Sequence, residues 1–449
     1  MTLRAKGKKD ITNLVINKLN AVAPRTHELV WDVSRSTVQI ASRIRYKLTT
    51  GIDSFDTVLG GGLPFGRVVE LYGLESSGKT ALVMRCAARL QGRNILQREQ
   101  IGRPGDSDFC VNWVPVPKNV DVFTLYIDNE QSLDEDDKLI VDGEVIDVAV
   151  CRTDTVDQMM KMIDVAISTI DEAQDAEHPC FILVVVDTVG GTSSREEMKA
   201  KWDAQDYPRQ PAMLRKAFRR MMRKINKRNV LAIFTNQVGA SFKTRRQQGQ
   251  SGLPQDEDFN SPGGKALKFF ASVRIFMYQV NPAYKLHKEQ QFPAGFSAGF
   301  VTVKNRLAKP RRAGRFVLLY DLRGISNIFS TLETMIFLKV ARAGEEGDRG
   351  AISFRFRNLQ IDTTTFDADE TKRGDPRLEC RAQWPAFYEA HKADLDLLWE
   401  KAKTLLFALE GDVGIADASL GEDEDPDLDL PEGTTTNIGL EEEDNANSK

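Results

Sequence analysis

The chain has 449 residues, of which 41% are hydrophobic and 28% charged, enough for roughly two to four domains with buried cores. Its longest purely aliphatic run, near residues 182–186, is far shorter than the ~20 apolar residues of a membrane-spanning helix. The five cysteines lie far apart without a CxxC pair, and the four histidines are not clustered, which argues against a disulfide framework or a zinc module. We therefore expect a cytoplasmic protein without a membrane partner.

The net charge of −4 is unevenly distributed along the chain. Residues 410–449 contain 14 acidic residues and one lysine, so residues 1–409 carry 60 basic and 51 acidic residues, a net charge of +9. Acidic segments of this kind are usually solvated, and some compete with nucleic acid for a basic surface. We predict a disordered acidic tail at residues 411–449, and a tail that only increases solubility is the alternative.

The first predicted element is a short helix at residues 10–20, where apolar residues recur at helical spacing after Asp10, a candidate N-cap. A helix this short is stable only when it packs against another surface. We assign residues 1–48, which comprise this helix and a linker, to packing between subunits.

Strands and helices alternate from Gly51 onward, which predicts an α/β domain with a mostly parallel sheet at residues 49–320. The continuous aliphatic run at residues 181–186 is typical of a strand buried on both faces of such a sheet. The predicted strands are residues 67–72, 122–127, 181–186, 230–235 and 272–280, and the predicted helices are residues 79–90, 156–173 and 211–226.

Three polar stretches interrupt the alternation, at residues 93–119, 192–210 and 238–262. The first contains Pro and Gly and is interpreted as an insertion between a helix and the next strand. The other two are predicted loops, of a length that in compact domains is usually functional or disordered. A smaller C-terminal α/β domain is predicted at residues 321–410, ending in a helix whose apolar stripe is interpreted as core.

Residues 73–80, GLESSGKT, match the pattern GxxxxGK[ST] between a predicted strand and a predicted helix. Backbone N–H groups of such a loop and the dipole of the following helix bind phosphates, while Lys79 contacts the β- and γ-phosphates and Thr80 binds Mg²⁺. The motif therefore predicts a site for ATP and Mg²⁺. Its predicted binding residues are Gly73, Glu75, Ser76, Ser77, Gly78, Lys79 and Thr80.

Hydrolysis of a nucleotide needs carboxylates beyond this loop. Asp187 directly follows the apolar strand at residues 181–186 and is the candidate second metal-binding residue, although a polar residue can also simply end a strand. A further group must orient or deprotonate water. Glu130 and Asp128 both follow the strand at residues 122–127, and spacing alone does not distinguish between them.

In these segments the chain resembles the RecA recombinases. LYGLESSGKTAL resembles the family's phosphate loop and VVVDTVGG its metal-binding strand. LYIDNEQSLD resembles the segment with the catalytic glutamate, and FTNQV the strand end whose glutamine senses the γ-phosphate, which implies these roles for Glu130 and Gln237. PGGKALKFFASVR and VKNRLAKP resemble two further blocks. The resemblance covers roughly residues 50–330 in the family order and implies a RecA-type P-loop ATPase core.

The resemblance also implies that ATP is bound between subunits. The two basic residues of the family's VKNK-like block reach the ATP of the next subunit, and here they are Lys304 and Arg306. On a strand, both side chains would point the same way and would stabilise charge developing on a neighbour's γ-phosphate. Ordinary surface charge is the alternative interpretation.

DNA is the partner that the resemblance implies. The two loops at residues 192–210 and 238–262 would face the axis of a helical filament, where basic groups bind phosphates and an apolar side chain wedges between bases. Two consecutive glycines after the second loop are interpreted as a hinge, or otherwise as a turn. The residues assigned to DNA are Phe242, Lys243, Arg245, Arg246, Gly263 and Gly264. The basic helix at residues 211–226 is as typical of a solvated face as of a DNA contact.

The family implies a DNA-dependent ATPase that forms filaments on single-stranded DNA and pairs it with double-stranded DNA. Two features depart from the family: the insertion at residues 93–119, and residues 134–137, DEDD, which lack the tyrosine that stacks on adenine. A RecA-like regulatory or structural ATP-binding protein without strand exchange and a hexameric helicase-type motor are the rival hypotheses. The set Lys79, Glu130, Asp187 and Gln237 argues against an inactive nucleotide site, and VKNR argues against the motor.

Overall fold

The computed structural model describes most of the predicted α/β domain and short segments beyond it. The described residues are 44–101, 110–133, 139–173, 179–192, 210–227, 229–240, 259–260, 265–281, 295–308, 310–320, 324–337, 341–343, 352–356, 359–361, 388–389, 392–393 and 395–400. The predicted N-terminal helix and acidic tail lie outside these residues, as do Phe242, Lys243, Arg245, Arg246, Gly263 and Gly264. Those assignments stay predictions.

The described elements follow the predicted alternation. The strands are β1 (Tyr46–Leu48), β2 (Leu63–Pro64), β3 (Arg67–Gly73), β4 (Ile95–Ile101), β5 (Cys110–Pro115), β6 (Asp121–Asp128), β7 (Ile140–Val141), β8 (Glu144–Val145), β9 (Ala149–Cys151), β10 (Cys180–Asp187), β11 (Val230–Gln237), β12 (Gly239–Ala240), β13 (Phe259–Asn260), β14 (Val273–Asn281), β15 (Gly295–Asn305), β16 (Ala313–Leu319), β17 (Gly324–Ser326), β18 (Ala341–Ala343), β19 (Ile352–Phe356) and β20 (Leu359–Ile361). The helices are α1 (Asp53–Val58), α2 (Lys79–Gln91), α3 (Val156–Ala173), α4 (Gln210–Lys227), α5 (Lys265–Phe270) and α6 (Asn327–Phe337). Within the described part of the chain, no helix combines the length and apolarity needed to cross a bilayer.

Nine strands form the central sheet, in the order β17-β16-β15-β14-β3-β11-β10-β6-β9. All pairings from β14 through β9 are parallel, whereas those from β14 through β17 are antiparallel. The prediction of an α/β fold with a mostly parallel sheet is therefore confirmed.

The central strands are apolar because helices cover both faces of the sheet. Every residue of β10 from Phe181 to Val186 is buried. One face of the sheet packs against α2, which contributes Leu82 and Leu90 to that core. The other face packs against α3 and α4, which contribute Ile163 and Phe218.

The parallel register brings the predicted site residues to one edge of the sheet, which we call the carboxyl edge. Asp128 of β6 lies opposite Asp187 of β10, and Gln237 of β11 lies opposite Gly73 of β3. Ligands of open α/β sheets bind outside the carboxyl ends of the strands. The order of the strands therefore assembles a candidate site from four segments that are far apart in the sequence.

The segment interpreted as an insertion contains two strands that were not predicted. β4 pairs antiparallel with β1 and with β5, so that β2, β1, β4 and β5 form a separate four-stranded sheet. The ammonium nitrogen of Lys47 lies 3.9 Å from the ring centroid of Trp113 across this sheet. No residue of β5 is fully buried, so its sequence lacks the aliphatic run that reveals a buried strand.

The central sheet continues past residue 320, where the sequence predicted the start of a second domain. β17 pairs antiparallel with β16, and the backbone N–H of Val317 in β16 donates to Ser330 Oγ of α6 at 2.9 Å. Leu332 and Met335 of α6 are fully buried. Residues 324–337 therefore pack with the central sheet. In the sequence, the short polar stretch that follows β16 resembles a linker.

Two described segments lie farther along the chain. β18, β19 and β20 form a separate three-stranded antiparallel sheet. Residues 395–400 are helical, and Leu395 and Leu398 are both fully buried. These two leucines belong to the apolar stripe predicted for the last helix.

Candidate functional site

Residues 73–80 form a tight turn between β3 and α2, and its shape requires two of its glycines. A Cβ atom on Gly73 would lie 2.0 Å from the carbonyl oxygen of Met277, so the backbone of β14 leaves no room for a side chain. Gly78 has a φ of 86°, in the left-handed region that favours glycine. Because α2 begins at the next residue, its first N–H groups are available to an anion at this turn.

The remaining residues of the turn differ in exposure. Glu75 and Ser76 are exposed, whereas Ser77 is buried and its hydroxyl donates to the carbonyl oxygen of Leu74 at 2.8 Å. The Ser77 bond closes the turn on itself. Of the predicted loop side chains, Glu75 and Ser76 are therefore the ones open to solvent.

Lys79 is held over the turn by backbone carbonyl groups. Its Nζ donates to the carbonyl oxygens of Leu74 at 2.7 Å and Gly73 at 3.2 Å, and lies 3.4 Å from Ser77 Oγ. Burial lowers the pKa of Lys79, and nearby carboxylates, first Asp187, act in the opposite direction. An ammonium group in this position would gain strongly from a phosphate, because charge-assisted hydrogen bonds are stronger than those to neutral carbonyls.

Asp187 accepts hydrogen bonds from three other elements at the carboxyl edge. Its Oδ2 accepts from Thr80 Oγ1 at 2.9 Å and from the Tyr126 hydroxyl at 2.7 Å, and its Oδ1 accepts from Thr235 Oγ1. The structure thus brings the predicted metal-binding pair, Thr80 and Asp187, into direct contact. Because the Thr80 proton is directed at Asp187, the lone pairs of the Thr80 oxygen are available to a cation. Hydroxyl and carboxylate oxygens are ligands that Mg²⁺ prefers, so the residues fit this metal.

Glu130 and Gln237 face each other across the carboxyl edge. Gln237 Nε2 donates to Glu130 Oε1 at 2.6 Å. The backbone N–H groups of Asn129 and Glu130 donate to the Asp187 carbonyl oxygen at 2.8 and 3.2 Å, which holds the end of β6 beside that of β10. The pKa of Glu130 is raised, chiefly by partial burial of its carboxyl group and next by the charge of Asp187. A carboxylate with a raised pKa is a better proton acceptor for water.

Asp128, the other carboxylate considered in the sequence, is engaged in a turn. It is fully buried and accepts the backbone N–H of Ser132 on Oδ1 and that of Leu133 on Oδ2, both at 3.1 Å. Arg152 Nε lies 3.8 Å from Asp128 Oδ2. These contacts assign Asp128 to the structure of the turn, whereas Glu130 is exposed at the carboxyl edge.

Lys304 and Arg306 do not lie at the carboxyl edge of their own subunit. Lys304 of β15 pairs with Arg274 of β14, which pairs in turn with Glu70 of β3. Glu70 precedes Gly73 by three residues, which corresponds to roughly 10 Å along the strand. The two basic residues are therefore displaced from the phosphate turn toward the opposite edge of the sheet.

The side chain of Lys304 is anchored on α5. Its Nζ donates to the carbonyl oxygens of Lys268 at 2.8 Å and Phe269 at 3.2 Å, at the end of that helix. Arg306 follows β15 and is exposed, as is Phe269, which is 71% accessible.

Three side chains at or near the site were not predicted from the sequence. Tyr126 and Thr235 lie in two of the predicted strands, and their polar character near the strand ends is the signal that could have revealed them. Tyr320 follows β16, is 48% exposed, and its ring centroid lies 6.2 Å from that of Phe296. The Phe296 ring in turn lies 3.5 Å from the position of a Cβ on Gly78. Tyr320 therefore presents an aromatic surface near the phosphate turn.

The outward face of α4 is basic. Its exposed cations are Arg215, Lys216, Arg219, Arg220 and Arg223. Lys224 instead faces α3, where its Nζ bonds to Asp164 and to Ser168. This exposure is compatible with both interpretations made from the sequence, a solvated face and a DNA contact.

Comparison with known proteins places these features in a family. The model of the RecA N-terminal domain matches residues 15–97 and 106–326, and its interruption includes part of β4. The protein RecA of Synechococcus sp. strain CC9902 is 28% identical over 294 residues, which are 65% of this chain and 65% of that protein. RecA of Parasynechococcus marenigrum strain WH8102 is 28% identical over 314 residues, 69% of this chain and 70% of that protein. RecA of Gloeobacter violaceus is 26% identical over 300 residues, 67% of this chain and 68% of that protein.

Proposed function

Because the chain belongs to the RecA family, we propose that it is a DNA-dependent ATPase that forms helical filaments on single-stranded DNA and catalyses homologous pairing and strand exchange. The observation that carries the proposal is the convergence of Lys79, the Thr80–Asp187 pair and the Glu130–Gln237 pair at one edge of the sheet. A protein that merely binds a nucleotide has no need of the second pair.

In the proposed reaction, Lys79 and the N–H groups that begin α2 bind the phosphates. Mg²⁺, bound through Thr80 and Asp187, would neutralise charge on the β- and γ-phosphates. Water attacks the γ-phosphorus, the bond to the ADP oxygen breaks, and the water proton passes to Glu130. Gln237 bonds to Glu130 and lies at the end of β11, so it can couple the state of the γ-phosphate to the region that follows β11.

Tyr320 is the proposed support for the base of the nucleotide. The tyrosine that stacks on adenine in the family has no counterpart at residues 134–137. An exposed aromatic ring near Gly78 could supply the same apolar contact from a different segment of the chain. This assignment would explain how adenine is bound despite the departure.

Lys304 and Arg306 are proposed to act on the nucleotide of a neighbouring subunit. Their distance from the phosphate turn within the subunit supports an action between subunits. Cations that approach the γ-phosphate from a neighbour stabilise developing negative charge and make hydrolysis depend on assembly.

A mixing experiment tests this sharing of residues. We expect the Lys79→Ala variant and the Lys304→Ala/Arg306→Ala variant each to be inactive, whereas an equal mixture recovers part of the activity. In a randomly mixed head-to-tail assembly, about a quarter of the interfaces would combine an intact phosphate turn with intact cations. The measurement is phosphate release on single-stranded DNA. Mixed filaments seen in electron micrographs without recovered activity would contradict the proposal.

DNA is the proposed partner, and the acidic tail is the proposed competitor for its site. Removing residues 411–449 deletes 13 acidic residues and one lysine, so the truncated chain has a net charge of +8. We expect tighter binding to duplex DNA at low salt, because a tethered polyanion no longer competes for the same cations. Screening over a Debye length of about 8–10 Å should reduce the advantage as salt rises. The measurement is duplex affinity of both forms across a salt series, and equal affinities at low salt would assign the tail another role.

The experiment that tests the function as a whole is electron microscopy of the full chain with single-stranded DNA and a non-hydrolysable ATP analogue. A regular helical filament together with DNA-stimulated phosphate release is the expected result. Closed rings would favour a helicase-type motor. Filaments without pairing of homologous strands would favour a regulatory or structural ATP-binding protein.

A further inference from the structure

Tyr126 connects β6 to the carboxylate that ends β10. Its side chain is fully buried in the core on the α2 face of the sheet. Its hydroxyl donates to Asp187 Oδ2 at 2.7 Å.

Asp187 is held at both of its oxygens by the two strands that flank β10. Tyr126 donates to Oδ2 from β6, and Thr235 donates to Oδ1 from β11. Two donors on opposite sides prevent rotation of the carboxylate about its Cβ–Cγ bond. Oδ2 also accepts the proton of Thr80 at 2.9 Å. When the Asp187 carboxylate is fixed in one orientation, the Thr80 hydroxyl donates its proton in one direction. The lone pairs of the Thr80 oxygen therefore also point in one direction.

We propose that Tyr126, together with Thr235, is a positioning residue that orients Asp187 and Thr80 for the divalent cation bound with the nucleotide. The inference rests on the proposed function and names residues that the family motifs did not identify. Tyr126 would act through Asp187, whose Oδ2 it contacts. Hydrogen-bond partners of this kind, behind the groups that bind a metal, typically affect metal affinity by 10–100-fold when they are removed.

The test uses Tyr126→Phe in the full chain, with Mn²⁺ as the probe in place of Mg²⁺. The dissociation constant of Mn²⁺ is measured by electron paramagnetic resonance in the presence of a non-hydrolysable ATP analogue. We expect Mn²⁺ to bind about 10-fold more weakly to the variant. Binding of a fluorescent ATP analogue in EDTA should be unchanged, because the phosphate turn is intact. An unchanged Mn²⁺ constant with a lower unfolding temperature would show a purely structural role and overturn the proposal.

Tyr72→Phe is the matched control. Tyr72 is 1% exposed, and its ring lies on the opposite face of the sheet, with its centroid 4.5 Å from the guanidinium carbon of Arg274. This variant lacks a buried hydroxyl that lies away from Asp187, so its dissociation constant for Mn²⁺ should equal that of the wild type. Thr235→Val is the second test variant, which should also weaken Mn²⁺ binding and keeps the test open if Tyr126→Phe does not fold.

The outcomes separate this inference from the proposed function. If the wild-type chain does not bind Mn²⁺ with the nucleotide analogue, the proposed nucleotide site itself is wrong. If the wild type binds both, and Tyr126→Phe and Thr235→Val bind Mn²⁺ as tightly as the wild type, only the positioning role is wrong.

Discussion

Replacing Lys79 by alanine is expected to abolish ATP hydrolysis. In the structure Lys79 is 8% exposed, and its ammonium group bonds to carbonyl oxygens of the phosphate turn. Its removal deletes the cation closest to the β- and γ-phosphates, and loss of a single group that stabilises transition-state charge costs on the order of 10²–10³-fold in rate. The measurement is phosphate release at saturating single-stranded DNA and Mg²⁺.

The matched control for this substitution is Lys118→Ala. Lys118 is exposed on the turn before β6, at the end of the strand remote from the carboxyl edge. The Lys118→Ala substitution changes the net charge of the protein by the same amount, and this variant should hydrolyse ATP at the wild-type rate. Lys79→Ala must also give the wild-type circular dichroism spectrum for its effect to be assigned to chemistry. Wild-type turnover of a folded Lys79→Ala variant would place the hydrolytic site elsewhere.

Glu130→Gln is expected to preserve ATP binding and to slow hydrolysis by at least about 10²-fold, the usual contribution of a general base. The amide oxygen of the substituted side chain can still accept the hydrogen bond that Gln237 Nε2 donates to Glu130 at 2.6 Å. The shape of the site is therefore kept, and only the proton acceptor is lost. Affinity for a fluorescent ATP analogue and the single-turnover rate of phosphate release measure the two effects separately.

Asp128→Asn provides the contrast to Glu130→Gln. Asp128 uses one oxygen for the N–H of Ser132 and the other for the N–H of Leu133, and an asparagine has only one acceptor oxygen. One N–H of the turn loses its partner, so we expect a loss of about 1 kcal/mol in the free energy of unfolding with turnover largely kept. A folded Asp128→Asn variant that loses more turnover than Glu130→Gln would identify Asp128 as the base.

The sequence predicted the order and type of the core elements because their signals are local. The aliphatic run of β10 occupies only a few consecutive residues, and so does the GxxxxGKT pattern between β3 and α2. The strands of the insertion were missed, because β5 lies at the edge of its sheet and carries the mixed pattern of a half-solvated strand.

The choice between Asp128 and Glu130 could not be made from spacing. The two residues follow the same strand two positions apart. Their environments differ because the turn at Ser132 and Leu133 folds back onto Asp128, while Gln237 comes from another strand to meet Glu130. The distinction thus depends on contacts that spacing within one segment does not encode.

By itself the sequence determined the alternating α/β core, the phosphate turn and the residues that resemble those of the RecA family, since motif and hydrophobic period are properties of short segments. Only the tertiary structure decided which groups meet. The strand order β3-β11-β10-β6 brings Thr80, Tyr126 and Thr235 onto the one carboxylate of Asp187, and it places Lys304 away from the phosphate turn of its own chain. These are contacts between strands that are neighbours in space but not along the chain, and their register is set by burial of whole faces of the sheet.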